Sequence, residues 1–262
     1  MSAPVVTNRQ IVEAIEEFAP LSLQESWDNS GWQVGDPGAE CRGVLLCVDL
    51  TPAVIEEAAA RGCDLVITHH PLIFRGVKSL VGRDRVTECL TGAVRRGITV
   101  YSSHTSADCA PAGVSAEMAR ILGLTDVATL DGNSGLGAVG DLPSPMPWDA
   151  FARKVKETFG CASLRLSRPA DPSWAITRVA LCGGAGGDLI DRAIETGAQA
   201  YVTADCKHNL FLDRREEILL LDAGHFETER CTKALFHRVI SEKFPNFAVW
   251  ESEAEENPVL YF

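Results

Sequence analysis

Short apolar segments alternate with amphipathic segments along most of this chain, and this alternation limits the possible folds more than any other feature. In the first half it predicts three strands, at 43–48, 65–68 and 98–101, and four helices, at 7–18, 52–61, 84–96 and 111–122. Short β-branched strands separated by helices are typical of a mainly parallel sheet that is buried on both faces. The sequence therefore predicts an α/β fold.

A stretch rich in glycine and proline, residues 131–147, interrupts this alternation, and we interpret it as a junction. A second series follows, with strands predicted at 163–166, 176–182, 200–203 and 218–221, and helices predicted at 148–159, 188–195, 207–214 and 226–244. We expect a first lobe formed by residues 1–126 and 217–262, and a second α/β lobe formed by residues 127–216. A chain of 262 residues is long enough for two such lobes.

The overall composition excludes several classes of function. A formal net charge of -12 disfavours binding to the phosphate backbone of nucleic acids. The first ten residues lack the apolar core of a signal peptide, and no apolar run approaches the ~20 residues that span a membrane. We therefore expect a cytoplasmic protein. The nine cysteines include Cys47 and Cys182 within apolar runs and form no C-x-x-C pair, so we expect reduced, mostly buried thiols.

Four of the six histidines lie just after predicted strands, at the edge where open α/β sheets bind their ligands. His69 and His70 form the first pair, in the sequence Thr68-His-His-Pro71. Neighbouring residues of a strand point to opposite faces, so these two histidines can share a site only if the strand has ended, which Pro71 favours. On this motif alone, a pair of surface or capping histidines is an equally good interpretation.

The other two motifs each place a carboxylate four residues after a histidine. His104 and Asp108 can face a common centre from a loop, although helix capping by Asp108 is the favoured interpretation of that motif alone. His225 and Glu229 fall at the start of a predicted helix, where a spacing of four puts both side chains on one face. The helix dipole also favours a carboxylate there, but it does not explain His225.

Taken together, the three loops predict a metal centre. Nitrogen and oxygen ligands suit Zn, Fe, Mn, Co or Ni better than Ca or Mg. A catalytic zinc typically uses about three protein ligands, and a carboxylate that bridges two ions uses a larger set naturally. We therefore predict two divalent metal ions per chain. The candidate ligands are His69, His70, Asp108, His225 and Glu229.

Three further polar segments have simpler interpretations. Residues 27–31, WDNSG, are turn formers and are interpreted as a structural loop. Residues 183–187, GGAGG, are interpreted as a tight strand-to-helix turn, with a smaller chance of binding an anion through backbone N–H groups. In the segment from Asp205 to Asn209, Lys207 could receive a phosphate and His208 could act in acid–base catalysis, while helix capping by Asp205 is about equally favoured.

The chain resembles the GTP cyclohydrolase I type 2 homologue family, also called the NIF-three-like dinuclear-metal proteins. The resemblance lies in an ordered set of motifs that spans nearly the whole chain. The motifs are WDNSG at 27–31, HHP at 69–71, HTSAD at 104–108, GGAG at 183–186 and GHFETE at 224–229.

This resemblance implies a two-lobed NIF-three-like fold, with mainly parallel sheets in αβα layers and the metal cleft between the lobes. It also implies toroidal homohexamers, and it carries the metal ligands over to the five residues named above, with Glu229 as the bridge. His104 is implied to lie near the metals, in a catalytic or supporting role. Many relatives have a histidine where this chain has Asn209.

Two functions remain open from the sequence. One is a metal-dependent hydrolase of a nucleotide or related phosphorylated compound, for which the resemblance suggests ring opening of GTP. Candidate catalytic residues are then His104, Lys207 and His208. The other is a non-enzymatic metal-handling or regulatory protein that acts through partners.

Overall fold

The structure is a computed structural model that describes residues 5–262. The chain divides into two compact units. The first contains the chain up to Ala107 together with Thr232–Glu256, and the second contains Asp108–Cys231 together with Asn257–Phe262.

Helices and strands alternate through both units. The helices are α1 (Asn8–Phe18), α2 (Pro52–Arg61), α3 (Arg85–Arg96), α4 (Thr105–Asp108), α5 (Val114–Leu122), α6 (Trp148–Phe159), α7 (Ile190–Glu195), α8 (His208–Asp213), α9 (His225–Glu229) and α10 (Cys231–Lys243). The strands are β1 (Gly31–Val34), β2 (Val44–Cys47), β3 (Leu65–Thr68), β4 (Thr99–Ser102), β5 (Thr125–Thr129), β6 (Ala138–Pro147), β7 (Arg165–Leu166), β8 (Ala175–Leu181), β9 (Ala200–Thr203), β10 (Leu219–Asp222) and β11 (Val249–Glu251). Two short 3-10 turns lie at Leu21–Leu23 and Gly187–Leu189.

The sheet of the first unit has the strand order β1-β4-β3-β2-β11 and is parallel except for the pairing of β1 with β4. Val66 and Val100 belong to a core that also contains side chains of α2 and α3. Leu65, Ile67 and Tyr101, which alternate with them along the strands, are fully buried as well. Both faces of this sheet are therefore covered, as the continuous apolar strands predict.

The sheet of the second unit has the order β5-β6-β8-β9-β10-β7 and is mixed. Only the pairings of β8 with β9 and of β9 with β10 are parallel. The other three pairings are antiparallel, so the predicted parallel character is wrong for this sheet. The fold class itself, two α/β units with one sheet each, is confirmed.

Residues 218–221, which lead into and include most of β10, alternate in direction and show that this second sheet is also covered on both faces. Leu219 and Leu221 pack with α5 and α6 in one core, whereas Ile218 and Leu220 pack with α7 in another. Both cores consist of apolar side chains, and burial of such side chains is the main term that stabilises a unit of this size.

The boundaries between the units differ from the predicted ones. The sequence placed the breaks near 126 and 217, whereas the structure places them at Ala107 and at Cys231. The reason is strand pairing, because β10 hydrogen-bonds to β9 and β7 and so belongs with the second sheet. As a consequence, α9 with its two candidate ligands is part of the second unit rather than the first.

Two local predictions are also corrected. The glycine- and proline-rich junction contains strand β6, whose register shifts between Asp141 and Met146, the part that holds two of its prolines. The single helix predicted at 226–244 is two helices, because α9 ends before Arg230 and α10 begins at Cys231.

All nine cysteines are free thiols, and eight of them are buried, as expected. None of the helices found within residues 5–262 is long and apolar enough to cross a lipid bilayer.

Removal of the Phe151 ring should destabilise the second unit strongly. Phe151 is fully buried on α6, and a Phe-to-Ala change in a packed core typically costs about 3–5 kcal/mol. We expect Phe151→Ala to lower the free energy of unfolding by that amount in urea titrations followed by circular dichroism. Leu260→Ala is the matched control, because Leu260 is 88% exposed. Equal effects of the two variants would contradict the assigned core.

Candidate metal centre

Three histidines come together at the carboxyl ends of β3 and β4. His69 and His70 follow β3, which ends at Thr68, and His104 follows β4. Because the two strands are parallel and in register, their ends meet at one edge of the sheet. The ring centroids of the three histidines are 5.1–5.4 Å apart, and one nitrogen from each ring lies within 4.8 Å of the others. The expectation that the strand ends before His69 is confirmed.

Each of these rings is held at Nδ1 by an oxygen acceptor. His104 Nδ1 lies 2.8 Å from the Asp28 carboxylate, and His70 Nδ1 lies 3.1 Å from the Asp49 carboxylate. His69 Nδ1 lies 3.1 Å from the carbonyl oxygen of Ser103. Since carboxylates and carbonyls only accept hydrogen bonds, Nδ1 must donate. In the neutral ring, Nε2 is then the nitrogen whose lone pair can bind a cation.

The WDNSG loop has a more specific role than the turn inferred from its sequence. The Asp28 side chain is fully buried and accepts hydrogen bonds from His104, from the backbone and hydroxyl of Thr105, and from Ser30. Burial alone would raise the pKa of Asp28, but the hydrogen bonds from His104 and Thr105 outweigh it and lower that pKa. Asp28 therefore remains ionised and orients His104.

His225 and Glu229 form a second set, at the carboxyl end of β10. Gly224 makes the turn into α9 with a φ of 88°, and the spacing of four brings His225 Nε2 to 3.0 Å from Glu229 Oε2. His225 Nδ1 lies 2.7 Å from the carboxylate of Asp205. The Glu229 side chain is 4% exposed. The prediction that both side chains lie on one helix face is confirmed.

Asp108, at the end of α4, is a further candidate carboxylate ligand in the second unit. Burial, followed by the negative charges of Asp108 and Glu229, raises the pKa of the Cys182 thiol. The same two charges help to raise the pKa of Cys231 to about 12, again after burial and together with Glu117. Two carboxylates therefore lie close enough to the same buried thiols to raise the pKa of both.

The GGAGG segment is a tight turn, as its sequence indicates. Gly184 has a φ of +59°, and a Cβ at this position would overlap the Glu229 carboxylate. The N–H of Gly184 donates a hydrogen bond to the hydroxyl of Thr228 at 3.0 Å, so this N–H already has a partner within the protein. Glycine is required here because the turn approaches a candidate ligand closely.

The segment from Asp205 to Asn209 requires a correction. Asp205 does not cap α8, whose N-cap is Lys207. Instead Asp205 has a φ of +54° and holds His225 through the contact described above. Lys207 and His208 are both exposed at the start of α8, and their catalytic roles remain predictions.

Sequence reasoning missed the three aspartates that hold the histidines. Asp28, Asp49 and Asp205 lie on loops that are separated in sequence from the histidines they contact by between 20 and 76 residues. No spacing rule connects such positions. The available signal was that Asp49 and Asp205 also follow predicted strands, at the same kind of sheet edge as the histidines.

The donor atoms fit a divalent metal ion. Imidazoles and carboxylates are the ligand types of zinc and of redox-active divalent metals, and a carboxylate on the remote nitrogen of a ligating histidine is the usual supporting contact. The fold and these residues together define an α/β protein of two units whose strand ends carry residues that could hold metal ions.

Comparison with known proteins identifies the family. The sequence model of the Duf34/NIF3 (NGG1p interacting factor 3) family matches residues 6–258. A protein of Lactococcus lactis named GTP cyclohydrolase 1 type 2 homolog is 34% identical over 93% of this chain and 95% of its own length. A protein of the same name from Nostoc is 38% identical over 79% of this chain and 84% of its own. The chain therefore belongs to the Duf34/NIF3 family.

Solved structures agree with this assignment. A hypothetical protein of Staphylococcus aureus superposes with a TM-score of 0.89 at 25% identity, over 99% of this chain and 100% of that one. A Bacillus cereus protein related to NIF3 superposes with a TM-score of 0.92 at 20% identity and the same coverage, which supports the fold alone.

Loss of the Asp49 carboxylate should weaken metal binding without unfolding the protein. Asp49 holds Nδ1 of His70, so the ring of this candidate ligand loses the contact that fixes its tautomer in Asp49→Ala. Loss of such a supporting carboxylate typically costs roughly 10–100-fold in metal affinity. We expect that loss for Asp49→Ala in zinc competition against a chromogenic chelator. Asp171→Ala, on an exposed loop, is the control, and an unchanged affinity in Asp49→Ala would refute the role assigned to Asp49.

Proposed function

We propose that the chain binds two divalent metal ions through His69, His70, Asp108, His225 and Glu229, with Glu229 as the bridge. The observation that carries the proposal is the set of three histidine nitrogens within 4.8 Å, each ring held at Nδ1 by an acceptor. In neutral rings of this tautomer Nε2 is the acceptor, and imidazole nitrogens grouped this closely suit a divalent cation.

The bridging role of Glu229 is supported by its surroundings. Its carboxylate is buried, lies beside His225 Nε2 and is approached by the glycine turn at Gly184. A buried carboxylate is costly unless cations or hydrogen bonds stabilise it. Divalent ions held here would supply the positive charge that stabilises this carboxylate.

We propose that this centre hydrolyses a nucleotide or a related phosphorylated compound. The names of the relatives, GTP cyclohydrolase 1 type 2 homologs, favour a purine nucleotide and ring opening. When bound, divalent ions would supply Lewis acidity and lower the pKa of a water molecule. His104, oriented by Asp28, is proposed to move a proton at Nε2. Lys207 is proposed to contact a phosphate group of such a compound, and His208 is proposed to assist proton transfer.

The proposal includes two properties that follow from the family resemblance. We propose that the chain forms homohexamers and works in the cytoplasm. Mass photometry of the purified protein tests the assembly directly, because a hexamer and a monomer of 28.3 kDa differ sixfold in mass.

Turnover by metal-loaded protein tests the enzymatic proposal. We expect zinc- or manganese-loaded protein to consume at least one member of a panel of purine and pyrimidine nucleotides, followed by chromatography. Glu229→Gln keeps the size of the side chain but removes the charge that a bridge requires. Its turnover should fall by at least the roughly 10–100-fold that loss of a supporting contact costs.

Glu216→Gln is the matched control, since Glu216 is exposed in the same unit and pairs with its neighbour Arg215. It should retain full turnover. If two ions bind but no nucleotide is consumed, the hydrolase proposal is wrong and a metal-handling role is favoured. If turnover survives in Glu229→Gln, the bridging role is wrong.

A further inference from the structure

Two large aromatic side chains lie exposed beside the histidine cluster of the first unit. Trp27 is 59% exposed and Phe74 is 52% exposed, and their ring centroids are 6.0 Å apart. Each also packs against His104, with centroid distances of 6.0 Å for Trp27 and 6.3 Å for Phe74. Exposed neighbouring aromatic rings are an apolar surface that water hydrates poorly, and such surfaces commonly bind ligands.

Phe74 also forms one wall of a pocket of about 530 Å³. Pro71 and Leu72 add apolar surface to the lining of this pocket, and Arg75 and Lys78 add positive charge. The volume lies within the range of small-molecule sites, and a mainly apolar lining with a few charged groups is their usual composition. The same residue, Phe74, thus connects the aromatic surface to a charged pocket.

The segment that follows Phe74 is basic, in a chain that is acidic as a whole. Residues 75–85 contain four cations and one acid, a net charge of +3, whereas the chain carries -12. Arg75 and Lys78 are exposed, and within residues 5–262 no ion pair is found for either of them. A local concentration of uncompensated cations attracts phosphate, even when the overall field is negative.

We propose that Trp27 and Phe74 stack against a planar heteroaromatic ring, and that Arg75 and Lys78 bind a phosphate carried by the same ligand. This inference rests on the proposed function, because it names the substrate-binding residues of that site. The ring would lie next to His104, and so next to the proposed ions.

Stacking does not distinguish one base from another, since every base has a π-face. The aromatic surface therefore explains binding of nucleotides as a class rather than of guanine alone. Specific recognition of one base would require hydrogen bonds to its edge, and a ring that stacks on the face of the base does not make them.

Calorimetric titration of the zinc-loaded protein with three probes separates the two parts of the surface. Guanosine 5′-monophosphate carries both ring and phosphate, guanosine carries only the ring, and ribose 5-phosphate carries only the phosphate. We expect the monophosphate to bind more tightly than either fragment. Adenosine 5′-monophosphate should bind within a few-fold of the guanosine compound, because stacking is tolerant of base identity.

Two variants then test which side chains bind the ring and which bind the phosphate. Trp27→Ala should weaken monophosphate binding by roughly five- to a hundredfold, the usual range for loss of one base–aromatic contact, and Trp27→Phe should restore most of it. Affinity for ribose 5-phosphate should not change in Trp27→Ala. The double variant Arg75→Ala and Lys78→Ala should show the opposite pattern, weakening both phosphorylated probes and leaving guanosine unaffected. Leu80→Ala, in the same segment and 58% exposed, is the control.

Zinc content, measured on every sample, separates failure of this inference from failure of the proposed function. If two ions bind and Trp27→Ala leaves monophosphate affinity unchanged, the stacking surface is wrong while the metal centre stands. If wild-type protein with two ions binds none of the probes, the ligand class is wrong. If no zinc binds at all, the proposed function fails, and monophosphate affinity that still depends on Trp27 would keep the stacking surface.

Discussion

The parallel pairing of β3 with β4 is the constraint on which the histidine cluster depends. Thr68 lies opposite Ser102 in this register, and their buried hydroxyls are 2.6 Å apart. Both strands end at that level, so the residues that follow them leave the sheet side by side. A shift of one residue would place His69 against a different neighbour and remove the contact between its Nδ1 and the Ser103 carbonyl.

The cluster also depends on charges supplied from distant loops. Asp49 holds His70, and its own N–H donates to the carboxylate of Glu255, at 2.6 Å. Glu255 is paired with Lys233 at 3.1 Å. Burial raises the pKa of Glu255, although the hydrogen bond from Asp49 and the charge of Lys233 oppose that shift. Glu255 and Lys233 thus stabilise the loop that carries Asp49, and Asp49 in turn orients the candidate ligand His70.

The sequence predicted most of the elements that carry the candidate site, because those elements have strong local signals. Helices α2 and α6 begin and end where the apolar pattern places them, and β3 and β9 are continuous apolar runs between turns. The missed strands lack such signals. Strand β5 is exposed along its whole length, and β6 contains prolines, which usually exclude a strand from a sheet interior.

The candidate ligands themselves followed from spacing and from position after a strand, whereas their supporting contacts did not. His225 and Glu229 are four apart on a helix, which is a local relation that a sequence reveals. Asp28 and His104 are 76 residues apart, and only the fold brings them into contact. The division of the chain was misplaced for a related reason, since the partners of β10 are set by the sheet rather than by sequence order.

Anomalous diffraction from crystals of the zinc-loaded protein would test the proposed metal centre. We predict two zinc peaks per chain, bound by Nε2 of His69 and of His70 and by the carboxylate of Glu229. The hydrogen bonds at Nδ1 to Ser103 and Asp49 should remain in place. Zinc peaks that avoid these side chains, or coordination through Nδ1 with those hydrogen bonds broken, would show that the proposed centre is wrong.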